Sequence, residues 1–142
     1  MGEVPIASIA WDDVQLSGKL GEGASGIIHQ AQWQSADGAL PVAVKLFKGE
    51  LTSDGLPHHE MHACLRAGAH PQLIPVLGRI DSHPESMEGL VMALVDHGFA
   101  NLAGPPCFYY CPRDVYAAVT RFCPRRGLRI ALGMAWAIRH LL

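Results

Sequence analysis

The chain has 142 residues, 49% of them hydrophobic, and a mean hydropathy of +0.16, which is enough apolar material for one domain with a real core and excludes a disordered chain. A formal net charge of −2 and a pI near 6.4 leave no basic excess, so neither nucleic acid nor an anionic membrane is expected as a partner. The four cysteines (Cys64, Cys107, Cys111, Cys123) have no obvious pairing frame, residues 1–5 carry no signal core, and the longest apolar run, 90–95, is far below the roughly 20 residues that cross a bilayer; reduced thiols in a cytoplasmic protein are expected.

Residues 1–10 are weakly patterned. After Trp11-Asp12-Asp13, the alternation of Val14, Leu16, Gly18 and Leu20 predicts a strand with one buried face. It leads to Gly21-Glu22-Gly23-Ala24-Ser25-Gly26, beyond which the chain is again extended in character until Asp37-Gly38, a strong hairpin signal. Residues 40–47 predict a third strand. A polar, glycine-containing segment, 49–55, then precedes Pro57, which sits where the first turn of a helix tolerates proline. Met61, Cys64, Leu65 and Gly68 recur at helical spacing, with Gly68 placed to end the helix and His70-Pro71 to stop it.

Residues 73–80 and 89–95 read as two more strands, the second apolar on both faces, with a reversing loop at 81–86. From Asp96 to Pro112 glycine and proline accumulate, leaving room for at most a short helix around Asn101-Leu102; 114–122 reads as a loop or short helical turn. Leu128, Leu132, Ala135, Ile138 and Leu142 mark a final helix. The expected class is α+β, a five-stranded antiparallel sheet with one packed helix and a helical extension, in three regions: 12–95, 96–127 and 128–142.

The pattern Gly21-x-Gly23-x-x-Gly26 has three common physical uses. In a dinucleotide fold the third glycine opens a helix, whereas a strand is expected here. A Walker-type loop ends in Gly-Lys-Ser/Thr, which Gly26-Ile27-Ile28 does not supply. The remaining use is a hairpin whose glycines let the backbone lie close over nucleotide phosphates, with a lysine on the next strand. Lys45 closes the run Val42-Ala43-Val44-Lys45 and shares a face with Ala43; Glu60 is the carboxylate on the following helix that can hold it extended.

These pieces together resemble the small lobe of a eukaryotic-type protein kinase over about residues 12–142. They are Gly21-x-Gly23-x-x-Gly26-x-Ile28, Ala43-Val44-Lys45, Glu60, His70-Pro71-Gln72-Leu73-Ile74, the apolar run 90–95 as fifth strand and hinge, and 128–135, which is similar to the long helix before the catalytic loop. The resemblance implies ATP as ligand: Gly21, Gly23 and Gly26 over the phosphates, Lys45 on the α- and β-phosphates, and Glu60 paired with Lys45. It further implies Leu20, Ile28 and Ala43 lining the adenine, Met92 behind it, and backbone near Ala93 and Val95 bonding the base.

Three departures from that pattern stand out. The loop tip carries Ser25 in place of an aromatic, and Ala93 replaces an acidic hinge residue. The third concerns the catalytic loop and the metal-binding Asp-Phe-Gly segment, which in that family follow the final helix and have no counterpart here. A truncated kinase domain is expected, transferring phosphoryl to Ser, Thr or Tyr only when complete and binding Mg2+ only with the missing lobe. The alternative is a non-catalytic, kinase-like module that binds nucleotide or protein. In either case the apolar face of the final helix would meet the missing lobe or a partner protein. No metal site is expected: His58, His59 and His62 do not spell His-Glu-x-x-His, and Cys107-x-x-x-Cys111 lacks a second ligand pair.

Overall fold

A computed structural model describes residues 6–49, 56–101, 104 and 123–142. The expected short helix near Asn101-Leu102 falls partly outside the described residues, and the segment 114–122 and the Cys107/Cys111 pair lie outside them altogether. Two compact units divide between Leu94 and Val95.

The first unit is a six-stranded sheet with one helix. Its strands are β1 (Ala7–Ala10), β2 (Val14–Glu22), β3 (Gly26–Ser35), β4 (Gly38–Phe47), β5 (Val76–Asp81) and β6 (Gly89–Ala93), in the order β1-β5-β6-β4-β3-β2. The helix α1 spans Pro57–Ala67. The class is α+β, as expected, but the sheet is mixed rather than antiparallel and has six strands rather than five. The additional strand, β1, pairs parallel with β5 through Ala7↔Gly78 to Ala10↔Asp81. It escapes pattern reading because only Ile9 of its four residues is buried, too short an alternation to register.

β1 and β2 are the two edges of the sheet, yet only the 3-10 turn Trp11–Asp13 separates them in sequence. Six flat strands at about 4.8 Å spacing would hold those edges about 24 Å apart. The linking residues reach at most about 14 Å. The sheet is therefore strongly curled, and its concave side encloses Ile9, Val14, Ala31, Val42, Val44, Leu46, Ile80 and Val91, with Trp11, Leu16, Trp33, Leu77 and Met87 packed around them.

Strand β4 alternates between two apolar cores. Val42, Val44 and Leu46 enter the concave core, while Phe47 on the opposite face joins Met61 of α1 and Leu90 of β6, with Cys64, Leu65, Val76 and Met92 around them. Pro57 occupies the first turn of α1, where its missing N–H costs no intrahelical bond. Gly68, at φ 65, ends the helix in a conformation that disfavours a Cβ. The hairpin between β3 and β4 turns at Ala36-Asp37, and Gly38 (φ 117) opens β4. Strand β5 begins at Val76 rather than at residue 73. Pro75 has no N–H for a ladder and disfavours helix or turn geometry before it, while Leu73 N–H closes a turn onto His70 O at 3.0 Å.

In the second unit, α2 (Pro124–Leu141) starts with proline at its first turn and carries Arg139, a cation suited to the negative helix end, in its last. Leu128, Leu132, Trp136, Ile138 and Leu141 are exposed. No helix among the described residues is long and apolar enough to cross a membrane.

Candidate functional site

Lys45 lies near the C-terminal end of β4, opposite Ile28 of β3 on one side and Leu90 of β6 on the other. Alternation puts its side chain on the α1 face together with Ala43 and Phe47. The ammonium is 4.9 Å from the Phe47 ring centroid and forms an ion pair with Glu60 in the first turn of α1. Side-chain exposure is 14% for Lys45 and 45% for Glu60. With one partner this open to water the pair is worth about 0.2–1 kcal/mol. Stability alone is thus a poor reason for it; its effect is to fix the direction of a largely covered ammonium.

The turn between β2 and β3 comes down to the same point. Ser25 Oγ accepts a hydrogen bond from Lys45 Nζ at 3.0 Å. Backbone bonds hold the turn: Gly23 N–H donates to Gly26 O at 2.9 Å, and Lys48 N–H donates to Ser25 O at 2.9 Å. The Lys48 ammonium bonds Glu22 at 2.7 Å and Gly23 O at 3.3 Å, and Lys19 pairs with Glu22 as well. This lysine clamp across the hairpin has one sequence signal, the i,i+3 spacing of Lys19 and Glu22; nothing local announces Lys48 or the inward Ser25.

The three glycines differ in what they accomplish. A Cβ on Gly26 would lie 2.4 Å from Leu46 O, so the close approach of β3 to β4 requires glycine there. Cβ atoms on Gly21 or Gly23 would meet nothing within 4 Å, and neither residue has a positive φ. The fold itself gives no steric reason for glycine at these two positions.

Ile28, Ala43, Lys45 and Met92 are brought together on one face, since Ile28 opposes Lys45 and Met92 opposes Ala43 across the ladder. Leu20 sits at a register irregularity between Lys19 and Gly21 and is 52% exposed. Ala93 opposes Val42 and donates its N–H to Pro75 O at 3.0 Å. Val95 is exposed and belongs to the second unit. A cavity of about 370 Å³ opens elsewhere, between Phe47, Leu56, Pro57 and Met87; it lacks both Lys45 and Glu60, and the ion pair is the better guide to chemistry because it gathers charge. Among the described residues no group of three or more His, Cys, Asp and Glu side chains is arranged to hold a metal.

Burial pushes the Glu60 carboxyl up, but the hydrogen bonds from Lys45 and Ser25 and the lysine charge outweigh it, leaving a net lowering from 4.5. Glu22, bonded by Lys19 and then Lys48, is lowered to about 2. Burial raises the Cys64 thiol, and the Glu60 charge one turn away adds to this, so Cys64 stays protonated. Because both carboxylates bind protons less readily when folded, their contributions are complete above pH 4.5 and are lost as pH falls, for Glu22 through a window reaching about 2. A carboxyl 13C titration is expected to place Glu22 near 2 and Glu60 below 4.5; ordinary midpoints for both would mean that the two clamps do not persist in solution.

No family model matches the chain, and no curated protein matches it.

Proposed function

We propose that residues 12–95 form the nucleotide-binding small lobe of a protein-kinase-type domain and hold ATP by its phosphates beneath the β2–β3 turn. The observation that carries this reading is the convergence of three segments far apart in sequence, the glycine turn, β4 and α1, on the single ammonium of Lys45. An ammonium largely covered by protein, oriented by a carboxylate and met by Ser25 of the glycine turn suits a phosphate group. Gly21 and Gly23, without steric cause inside the fold, suit a backbone approached closely by a ligand. Ile28, Ala43 and Met92 offer an apolar strip beside Lys45 for the adenine, with Leu20 and backbone near Ala93 at its margin.

For these 142 residues the proposal is binding. Phosphoryl transfer to Ser, Thr or Tyr of a protein belongs to the complete domain, which would also bring the groups that hold Mg2+. A second reading, a kinase-like module that binds another protein, is favoured by the exposed Leu128, Leu132, Trp136 and Ile138 of α2. Calorimetry with ATP separates them. Lys45→Met should weaken ATP binding by about 10- to 150-fold, the worth of a hydrogen bond to a charged group. Equal affinity for ATP in wild type and variant would sink the site assignment.

A further inference from the structure

Lys45 has three N–H donors. One is taken by Glu60 and another by Ser25 Oγ at 3.0 Å, while the Phe47 ring covers the ammonium at 4.9 Å. The Ser25 hydroxyl accepts from the same ammonium that pairs with Glu60, so turn, strand and helix meet at one nitrogen. Its position is fixed from the backbone side too, because Ser25 O receives Lys48 N–H and the turn is braced by Gly23 N–H to Gly26 O. Ser25 is therefore held onto the lysine rather than swinging over it.

We infer that Ser25 is a positioning residue that keeps Lys45 aimed in the nucleotide-free protein, and that its hydroxyl occupies the donor direction a phosphate oxygen takes on binding. The inference rests on the nucleotide reading of the site. A phosphate oxygen displaces the hydroxyl because it is an anionic acceptor and adds a Coulombic attraction to the ammonium that the neutral hydroxyl lacks. The exchange still costs the existing Lys45–Ser25 bond, so Ser25 competes with the ligand. Ser25 in this way sets how much phosphate charge is needed before the turn releases the lysine: a triphosphate succeeds where a weaker anion fails.

The test uses the full chain as wild type, Ser25→Ala, Ser25→Thr and Lys45→Met, titrated calorimetrically with ATP, together with a carboxyl 13C titration of Glu60 without nucleotide. Removing the hydroxyl is expected to tighten ATP binding about fivefold, the equivalent of one ordinary hydrogen bond, and to move the Glu60 midpoint upward. Ser25→Thr, which keeps a hydroxyl, should restore both. If wild type binds ATP, Lys45→Met does not, and Ser25→Ala is no tighter, the nucleotide reading stands and the role of Ser25 falls. An unmoved Glu60 midpoint in Ser25→Ala also overturns that role, since a loop residue with a merely structural effect leaves that carboxylate unchanged. If no variant binds ATP, the nucleotide reading falls and takes the competition with it.

Discussion

Replacing Met61 with alanine is expected to lower the stability of the sheet unit by about 2–5 kcal/mol, the range for emptying a buried methionine site. Met61 is fully buried, and it is the residue through which α1 joins the core formed with Phe47 and Leu90. Besides Met61 the helix buries Pro57 at its start and half-buries Cys64 and Leu65, so Met61 is the one large side chain of α1 wholly inside this core. The effect should reach the site, because Glu60 is the preceding residue and its carboxylate meets Lys45 only while α1 keeps its distance from β4. Urea denaturation measures the first consequence, and the Glu60 titration, drifting back toward 4.5, measures the second. Met61→Leu, close in volume, should cost less than about 1.5 kcal/mol. A Met61→Ala protein as stable as wild type would show that α1 does not rest on Phe47 and Leu90.

The three glycines of the β2–β3 turn should separate into two classes. Gly26→Ala forces a methyl to within 2.4 Å of Leu46 O and 3.3 Å of Phe47 Cα, both backbone atoms of the paired strand that cannot turn aside. A loss of about 1–3 kcal/mol is expected, as for other overpacked positions, along with release of the Lys48 N–H to Ser25 O bond next to the clash. Gly23→Ala meets no atom and needs no special φ. By narrowing the unfolded chain it should hold or raise stability by about 0.4–1 kcal/mol, yet, on the proposed nucleotide reading, weaken ATP binding by putting a methyl where the phosphates would approach. Stability and affinity thus move in opposite directions at Gly23 and fall together at Gly26. Should Gly23→Ala leave affinity unchanged, the turn is not a phosphate cradle; should Gly26→Ala leave stability unchanged, β3 and β4 are not so closely apposed.

Much of the first unit is written in local pattern. Val42, Val44 and Leu46 alternate with Ala43, Lys45 and Phe47, and that alternation alone puts the lysine on the face that α1 covers. Pro57 and Gly68 mark the ends of α1 through their own backbone restrictions. The meeting of Lys45 with Glu60 follows from a strand, a connection and a helix in succession. Parallel pairing of β1 with β5 has no such local mark, because its register depends on residues remote in the chain. Leu73 and Ile74 look like strand by composition, but Pro75 decides otherwise. Ser25 is legible as a loop residue and not as a ligand of Lys45: a side chain in a turn points where the backbone bonds of Gly23, Gly26 and Lys48 send it. The same holds for Lys48, whose reach to Glu22 exists only once the hairpin has formed.

The parallel seam between β1 and β5 also orders events in time. β2, β3 and β4 form from neighbouring hairpins, but Ala7 must find Gly78, and closing so long a loop is slow compared with zipping a hairpin. Until β5 and β6 are in place, Ile9 has no partner and Val14, Val42 and Val44 line an open trough. Strand β1 has its ladder partner only in β5, far down the chain, and that pairing completes the core on which Ile9 closes. Until that seam is made, the free edge of β5 is open to pairing with a neighbouring chain.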